Sequence, residues 1–205
     1  QTLEQNTTAS YNTAFGYQAL EANTTGNFCV AIGANALKSD TTAAESVAVG
    51  YNALQAQTDG RNTAVGYLAG QDLTTGSGNT FVGQEAAENI TTGSDNTAIG
   101  RHALRVQTSS SDNTAVGANA LASNTSGTQN TAVGAFALDA NTIQPANTAV
   151  GYEALTSLSG GNSCTAVGAK ALEDCSSGTD NTACGHRALR ATTSGSQNAA
   201  FGRLA

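Results

Sequence analysis

Apolar and polar positions recur along this chain with one fixed period. Aligned on the glycine that closes the motif Asn-Thr-Ala-Val-Gly, the units end at Gly16, Gly33, Gly50, Gly66, Gly83, Gly100, Gly117, Gly134, Gly151, Gly168, Gly185 and Gly202, ten intervals of 17 residues and one of 16. The residue before each glycine is apolar throughout, from Phe15 and Ile32 through Val116 and Val133 to Cys184 and Phe201. The residue before that is Ala in every unit but one, the exception being Phe81. Three residues after the glycine Ala recurs in all twelve units, usually followed by Leu, as at Leu20, Leu104 and Leu189. Eight residues after it stands Thr or Ser, as at Thr24, Thr91, Thr125 and Ser159.

A 17-residue unit is too short for a helical-hairpin repeat, and its Thr-Ala-Val core alternates with period two and carries β-branched residues, so it reads as strand. Each unit then forms one coil of a parallel β-solenoid, a β-roll of about twelve coils spanning residues 1–205 as a single all-β domain. Two strands of roughly five residues and two turns per coil account for the period. Bends such as Thr24-Thr25-Gly26-Asn27 and Thr92-Gly93-Ser94-Asp95 are expected to use glycine at positive φ. Coils stacked about 4.8 Å apart make a rod on the order of 55 Å long.

Stacking places like on like. The apolar residue before each glycine is expected to form an internal aliphatic ladder. Asn12, Asn62, Asn79, Asn96, Asn113, Asn130, Asn147, Asn181 and Asn198 are expected to form an amide ladder along the strand starts. Adjacent strand residues face opposite ways, so the Ala column faces away from the Val/Ile column. An almost unbroken Ala column suggests close approach of another backbone, hence a homotrimer with Ala at the seam, with a two-fold pair or a lone rod as alternatives. Phe81 would then be a local bulge or a rung where chains separate.

Composition agrees with an unusual architecture: 23 Gly, one Pro, no Trp, no Met and 11% charged residues. The net charge of −7 arises from scattered Asp and Glu without a Lys/Arg cluster, so neither nucleic acid nor an anionic membrane is an expected partner. No stretch approaches eighteen apolar residues, and membrane insertion is not expected. The start in mid-repeat without Met suggests a processed chain or a piece of a longer fibre.

The unit Asn-Thr-Ala-Val-Gly-Tyr-x-Ala-Leu, seen from Asn62 to Tyr67 and from Asn147 to Leu155, resembles the tandem repeat of bacteriophage tail-fibre proteins, in many of which such repeats precede a self-cleaving chaperone domain. It is also similar to the head repeat of trimeric autotransporter adhesins, although the period of 17 is longer than theirs. The resemblance covers the whole chain. It implies a left-handed, trimeric β-roll serving as the rigid shaft or head of a fibre in host attachment, in a virion or at a cell surface, with a host receptor or glycan as partner. The Tyr-x-Ala-Leu continuation and the turn from Asn23 to Gly26 favour the phage fibre over the bacterial adhesin.

No catalytic residue, cofactor or metal site is expected. Gly-x-Ser-x-Gly, His-Glu-x-x-His and phosphate-loop motifs do not occur, and a solenoid carbohydrate lyase would need clustered carboxylates and bases. His102 and His186 occupy different repeat positions and read as solvated side chains. Asp95, Asp112 and Asp180 precede the motif Asn, but the same column holds Tyr11, Phe28, Arg61, Gly78, Gln129 and Ala146, so no calcium ladder runs there. Cys29 and Cys164 replace the ladder Asn, Cys184 replaces the apolar residue, and all read as small buried substitutions, with a Cys164–Cys175 disulfide conceivable. The sequons at Asn6, Asn23, Asn89 and Asn124 read as chance products of an Asn/Thr-rich repeat. The column after each glycine varies, and its Tyr17, Tyr51, Tyr67 and Tyr152 form the candidate ligand-facing surface. An ice-binding solenoid is a further alternative from the two Thr columns, weakened by the expectation that Thr13, Thr63 and Thr97 point inward.

Overall fold

The computed structural model describes residues 2–58 and 60–205 and shows the expected parallel β-solenoid. Twelve strands, from β1 (Thr13–Phe15) to β12 (Ala199–Phe201), pair in chain order into one parallel sheet, and no helix occurs among the described residues. Register is held by identity of position: Thr114 lies on Thr131, Ala115 on Ala132 and Val116 on Val133.

Each coil carries one strand of three residues, not two of five. The rest of the coil is a chain of tight corners whose N–H groups mostly reach the neighbouring coil, as in Leu121 N to Ala137 O at 3.0 Å and Thr125 N to Thr142 O at 2.7 Å. Intracoil turns close the corners, with Ala120 N on Gly117 O at 3.3 Å and Asn124 N on Leu121 O at 3.2 Å. Three corners in the coil of Gly117 have left-handed backbone at non-glycine residues: Asn119, Leu121 and Gln129, with φ of 57°, 49° and 60°. Such conformations are individually unfavourable. Burial of the Leu side chain and the intercoil hydrogen bonds offset them.

The bend glycines Gly26 and Gly93 do not have positive φ, contrary to the sequence expectation. The motif glycine needs its freedom instead: Gly117 has φ of 137°, and a Cβ there would lie 2.6 Å from the carbonyl of Gly134. Only glycine permits successive coils to approach so closely at that corner.

The facing of the strand is also the reverse of the expectation. The Ala column, Ala31, Ala48, Ala64, Ala98, Ala115, Ala132, Ala149, Ala166 and Ala183, is fully buried inside the coil of its own chain. The Val/Ile column points outward and is partly exposed, at 39% for Ile32 and Ile99. A 17-residue coil encloses a narrow interior, and Ala fits against the Ala-Leu pair of the opposite corner where a β-branched side chain would overpack. The Ala column is therefore not a seam between subunits.

Phe81, in β5 (Thr80–Val82), is neither a bulge nor a separated rung. It lies fully buried in the Ala column, and the Leu corners nearest to it are Gly70 and Ala87. A Cβ on Gly70 would sit 2.6 Å from Phe81 Cδ2. The ring fills the volume that the leucine missing at Gly70 leaves.

Candidate binding surfaces

The amide ladder forms as expected, with a different acceptor pattern. Each Asn Oδ1 accepts from the backbone N–H of the next ladder residue, as Asn113 Oδ1 does from Asn130 N at 3.0 Å. Its Nδ2 crosses the coil to a turn carbonyl, Asn113 to Gly127 O at 2.9 Å and Asn79 to Gly93 O at 2.9 Å. Direct amide-to-amide bonds occur in some coils, such as Asn79 Nδ2 to Asn62 Oδ1 at 3.0 Å. From Asn62 to Asn181 these residues are buried and engaged within the rod, while Asn12 is half-buried and Asn198 exposed at the two ends.

A second inward column, seven residues after each glycine, escaped the sequence reading. It holds Asn23, Asp40, Gln57, Leu73, Ile90, Gln107, Asn124, Asn141, Leu158 and Cys175, all fully buried, and ends at the half-buried Thr192. Most polar members cap the turn that follows, as Asn124 accepts from Gly127 N at 3.0 Å, whereas the buried Asn23 side-chain amide has no hydrogen-bond partner among the described residues. Their mixed identity looks like surface in sequence. The only signal was their constant offset from the glycine.

Two outward surfaces remain. The first is the outer sheet face, where Thr63, Thr80, Thr97, Thr114, Thr131 and their equivalents run beside the Val/Ile column. Neither column contains a charged residue, and Phe15 and Phe201, at the two ends, are 75% and 71% exposed. The Thr of the strand thus points outward, opposite to expectation, and Cys184 is an exposed member of this face rather than a buried substitution. The other Thr column bonds along the rod, with Thr91 Oγ1 donating to Thr108 O at 2.7 Å and Thr125 Oγ1 to Thr142 O at 2.9 Å.

The second surface is the aromatic column. Tyr17, Tyr51, Tyr67 and Tyr152 are exposed at 66%, 48%, 50% and 48%. Tyr51 and Tyr67, on adjacent coils, stack with centroids 5.6 Å apart and planes 14° from parallel. The coil of Tyr17 is two away from that of Tyr51, and Tyr152 lies five coils beyond Tyr67, about 24 Å along the rod. The four do not form one site. Beyond the shared column, Tyr11 stacks on Phe28 at 5.1 Å and Phe136 meets Tyr152 edge-on at 6.4 Å.

Charged side chains form ladders of their own. Lys170 bridges Glu153 at 2.5 Å and Glu173 at 2.7 Å, and Arg190 reaches Glu173 at 2.5 Å. Lys170 and then Arg190 hold the Glu173 carboxyl below the usual carboxylate range. His102 is not free in solvent, since its Nε2 lies 3.0 Å from Glu85, which Arg105 also approaches at 3.5 Å. His186 is exposed. Among the described residues no group of three or more His, Cys, Asp or Glu is placed to hold a metal, and no helix is long and apolar enough to cross a membrane.

A shallow groove of about 550 Å³, lined by Thr42, Ala44, Gly60, Arg61, Thr75, Ser77 and Gly78, marks the 16-residue coil. Sequons Asn23 and Asn124 are buried and closed to glycosylation in the folded chain.

No protein-family model, no curated protein and no solved structure matches this chain.

Proposed function

We propose that this chain is a rigid shaft or head segment of a phage-type tail fibre, used in host attachment and assembled as a homotrimer. The observation that carries the reading is the twelve-rung stack in unbroken register with one uncharged, β-branched outer face. A strip of partly exposed Val, Ile and Thr running the length of the rod is more than the scattered apolar residues of a monomeric surface, and a second copy would cover it. The seam therefore moves from the Ala column to the Thr/Val column. Such an assembly belongs outside the cell, on a virion or a cell surface, and the stacked Tyr51–Tyr67 pair offers the aromatic surface that suits a host glycan or receptor.

Light scattering tests the reading directly. The expected mass is three times that of the 20.4 kDa chain. Val116→Asp with Val150→Asp is expected to give a monomer with an unchanged β spectrum. A monomeric parent chain overturns the trimer.

One observation favours a second reading, an ice-binding rod: the strand Thr column faces solvent beside a regular apolar column. Thermal hysteresis by the monomeric parent chain would establish it, and its absence would remove it.

A further inference from the structure

Two of the four cysteines face each other inside one coil. Cys164 stands in the ladder-Asn position and Cys175 in the second inward column, and both are fully buried. Elsewhere in the rod these two positions converge. Asn113 and Asn124 both donate to Gly127 O at 2.9 Å, and Asn130 and Asn141 donate to Gln144 O at 2.9 and 3.0 Å. Ser46 and Gln57 bond each other directly at 3.0 Å. The cysteines repeat the arrangement, with Cys164 Sγ 3.2 Å and Cys175 Sγ 3.9 Å from Gly178 O. The two thiols thus converge on one carbonyl. No other coil brings two cysteines to these positions: Cys29 is matched with Asp40, and Cys184 lies on the outer face.

We propose that Cys164 and Cys175 are an oxidation site that closes the coil with a disulfide, and that the oxidant is a small hydroperoxide. Burial excludes a bulky disulfide donor, while a peroxide can reach Cys175 through local opening of the Ser176-Ser177 turn, where Ser177 is exposed. The neighbouring Cys164 thiol holds Cys175 below its ordinary range, and the same proximity together with burial holds Cys164 above it. Cys175 is accordingly the attacking thiolate and Cys164 the resolving thiol.

The Cys175 sulfur attacks the terminal peroxide oxygen, and the O–O bond breaks. The leaving alkoxide, or hydroxide from hydrogen peroxide, takes up a proton, and a sulfenic acid remains on Cys175. The Cys164 sulfur then attacks the Cys175 sulfur, the S–O bond breaks, and the departing hydroxide leaves as water with the Cys164 proton. Two thiols and one hydroperoxide give one disulfide, one alcohol or water, and one further water; sulfur is oxidised and the peroxide reduced.

The test treats the folded, reduced chain with hydrogen peroxide, then unfolds it, alkylates it and maps its peptides by mass spectrometry. A Cys164–Cys175 linked peptide is expected, with Cys29 still alkylated. The unfolding temperature should rise by several degrees and return after dithiothreitol. Full alkylation of both residues under conditions that oxidise Cys184 overturns the proposal. Cys164→Asn restores the ordinary ladder amide and should fold; its Cys175 should be trapped by dimedone as the sulfenic acid, with no thermal gain. The same thermal gain in that variant also overturns the proposal.

Discussion

Phe81 and Gly70 show how a coil of fixed perimeter tolerates an exchange of volume between neighbours. The ring occupies an Ala position, and the nearest Leu corner has lost its side chain entirely. Phe81→Ala alone should leave a cavity and cost about 3–5 kcal/mol in urea unfolding. Gly70→Leu alone should also destabilise, because its Cβ meets the ring. The double variant restores the ordinary pair, and leucines at the same corner elsewhere already adopt the required positive φ, as Leu54 does at 48°. It should therefore be more stable than either single variant, with a large coupling term in the double-mutant cycle. The amide ladder offers a second check at this scale. Asn113→Ala leaves the Asn130 N–H buried without its acceptor and should cost about 1–3 kcal/mol.

At the scale of the strand the question is which face is inside. Ala115→Val adds volume to a narrow, filled interior and should cost about 1–3 kcal/mol. Val116→Thr, on the outer face, should shift the isolated chain's stability by less than about 0.5 kcal/mol. If the Val column were the core, the second change would be the damaging one. This is also where the sequence stopped being informative. The period of 17, the parallel stack and the Asn ladder were all legible, because identical positions recur at a fixed spacing from the glycine. Strand facing was not legible, since alternation separates two faces without ordering them when one is Ala and the other Val. The width of the coil decides, and width is a property of three corner residues with positive φ, such as Asn119, Leu121 and Gln129, that no local pattern announces. The Tyr51–Tyr67 stack was legible only as two members of a column; their adjacency depends on consecutive coils, a relation Tyr152 lacks. The charge ladder adds a pH dependence at the same scale. The depressed Glu173 carboxyl stabilises the fold above the ordinary carboxylate range near pH 4.3, and that contribution is lost as pH falls through its lower folded value. Glu173→Gln should flatten the fall in urea midpoint between neutral pH and about pH 3 relative to the parent chain.

For the whole molecule the consequence of one-dimensional stacking is that a coil is removable but a fraction of a coil is not. Each coil contacts its two neighbours alone through strand pairs, ladder amides and corner hydrogen bonds, so stability is approximately a sum of coil and interface contributions. Removing residues 118–134 joins Gly117 to Ala135, which stands in the same repeat position as Ala118, and carries Asn113 onto Asn147 in the ladder. Every surviving column keeps its facing. That deletion should leave the β spectrum intact and lower the urea slope only slightly, in proportion to the surface lost. Removing residues 118–125 instead, close to half a coil, sets Gly117 against Ser126 and leaves a nine-residue remnant too short to pass round the rod, so the later coils lose their interface with the earlier stack. It should unfold the C-terminal part of the rod, visible as a loss of β signal and rapid proteolysis beyond the junction. If both deletions behaved alike, the rod would not be held by register. If the full-coil deletion also kept the number of chains of the parent assembly in light scattering, the outer Thr/Val strip, which the deletion shortens by one rung without interrupting, would be supported as the surface on which copies meet.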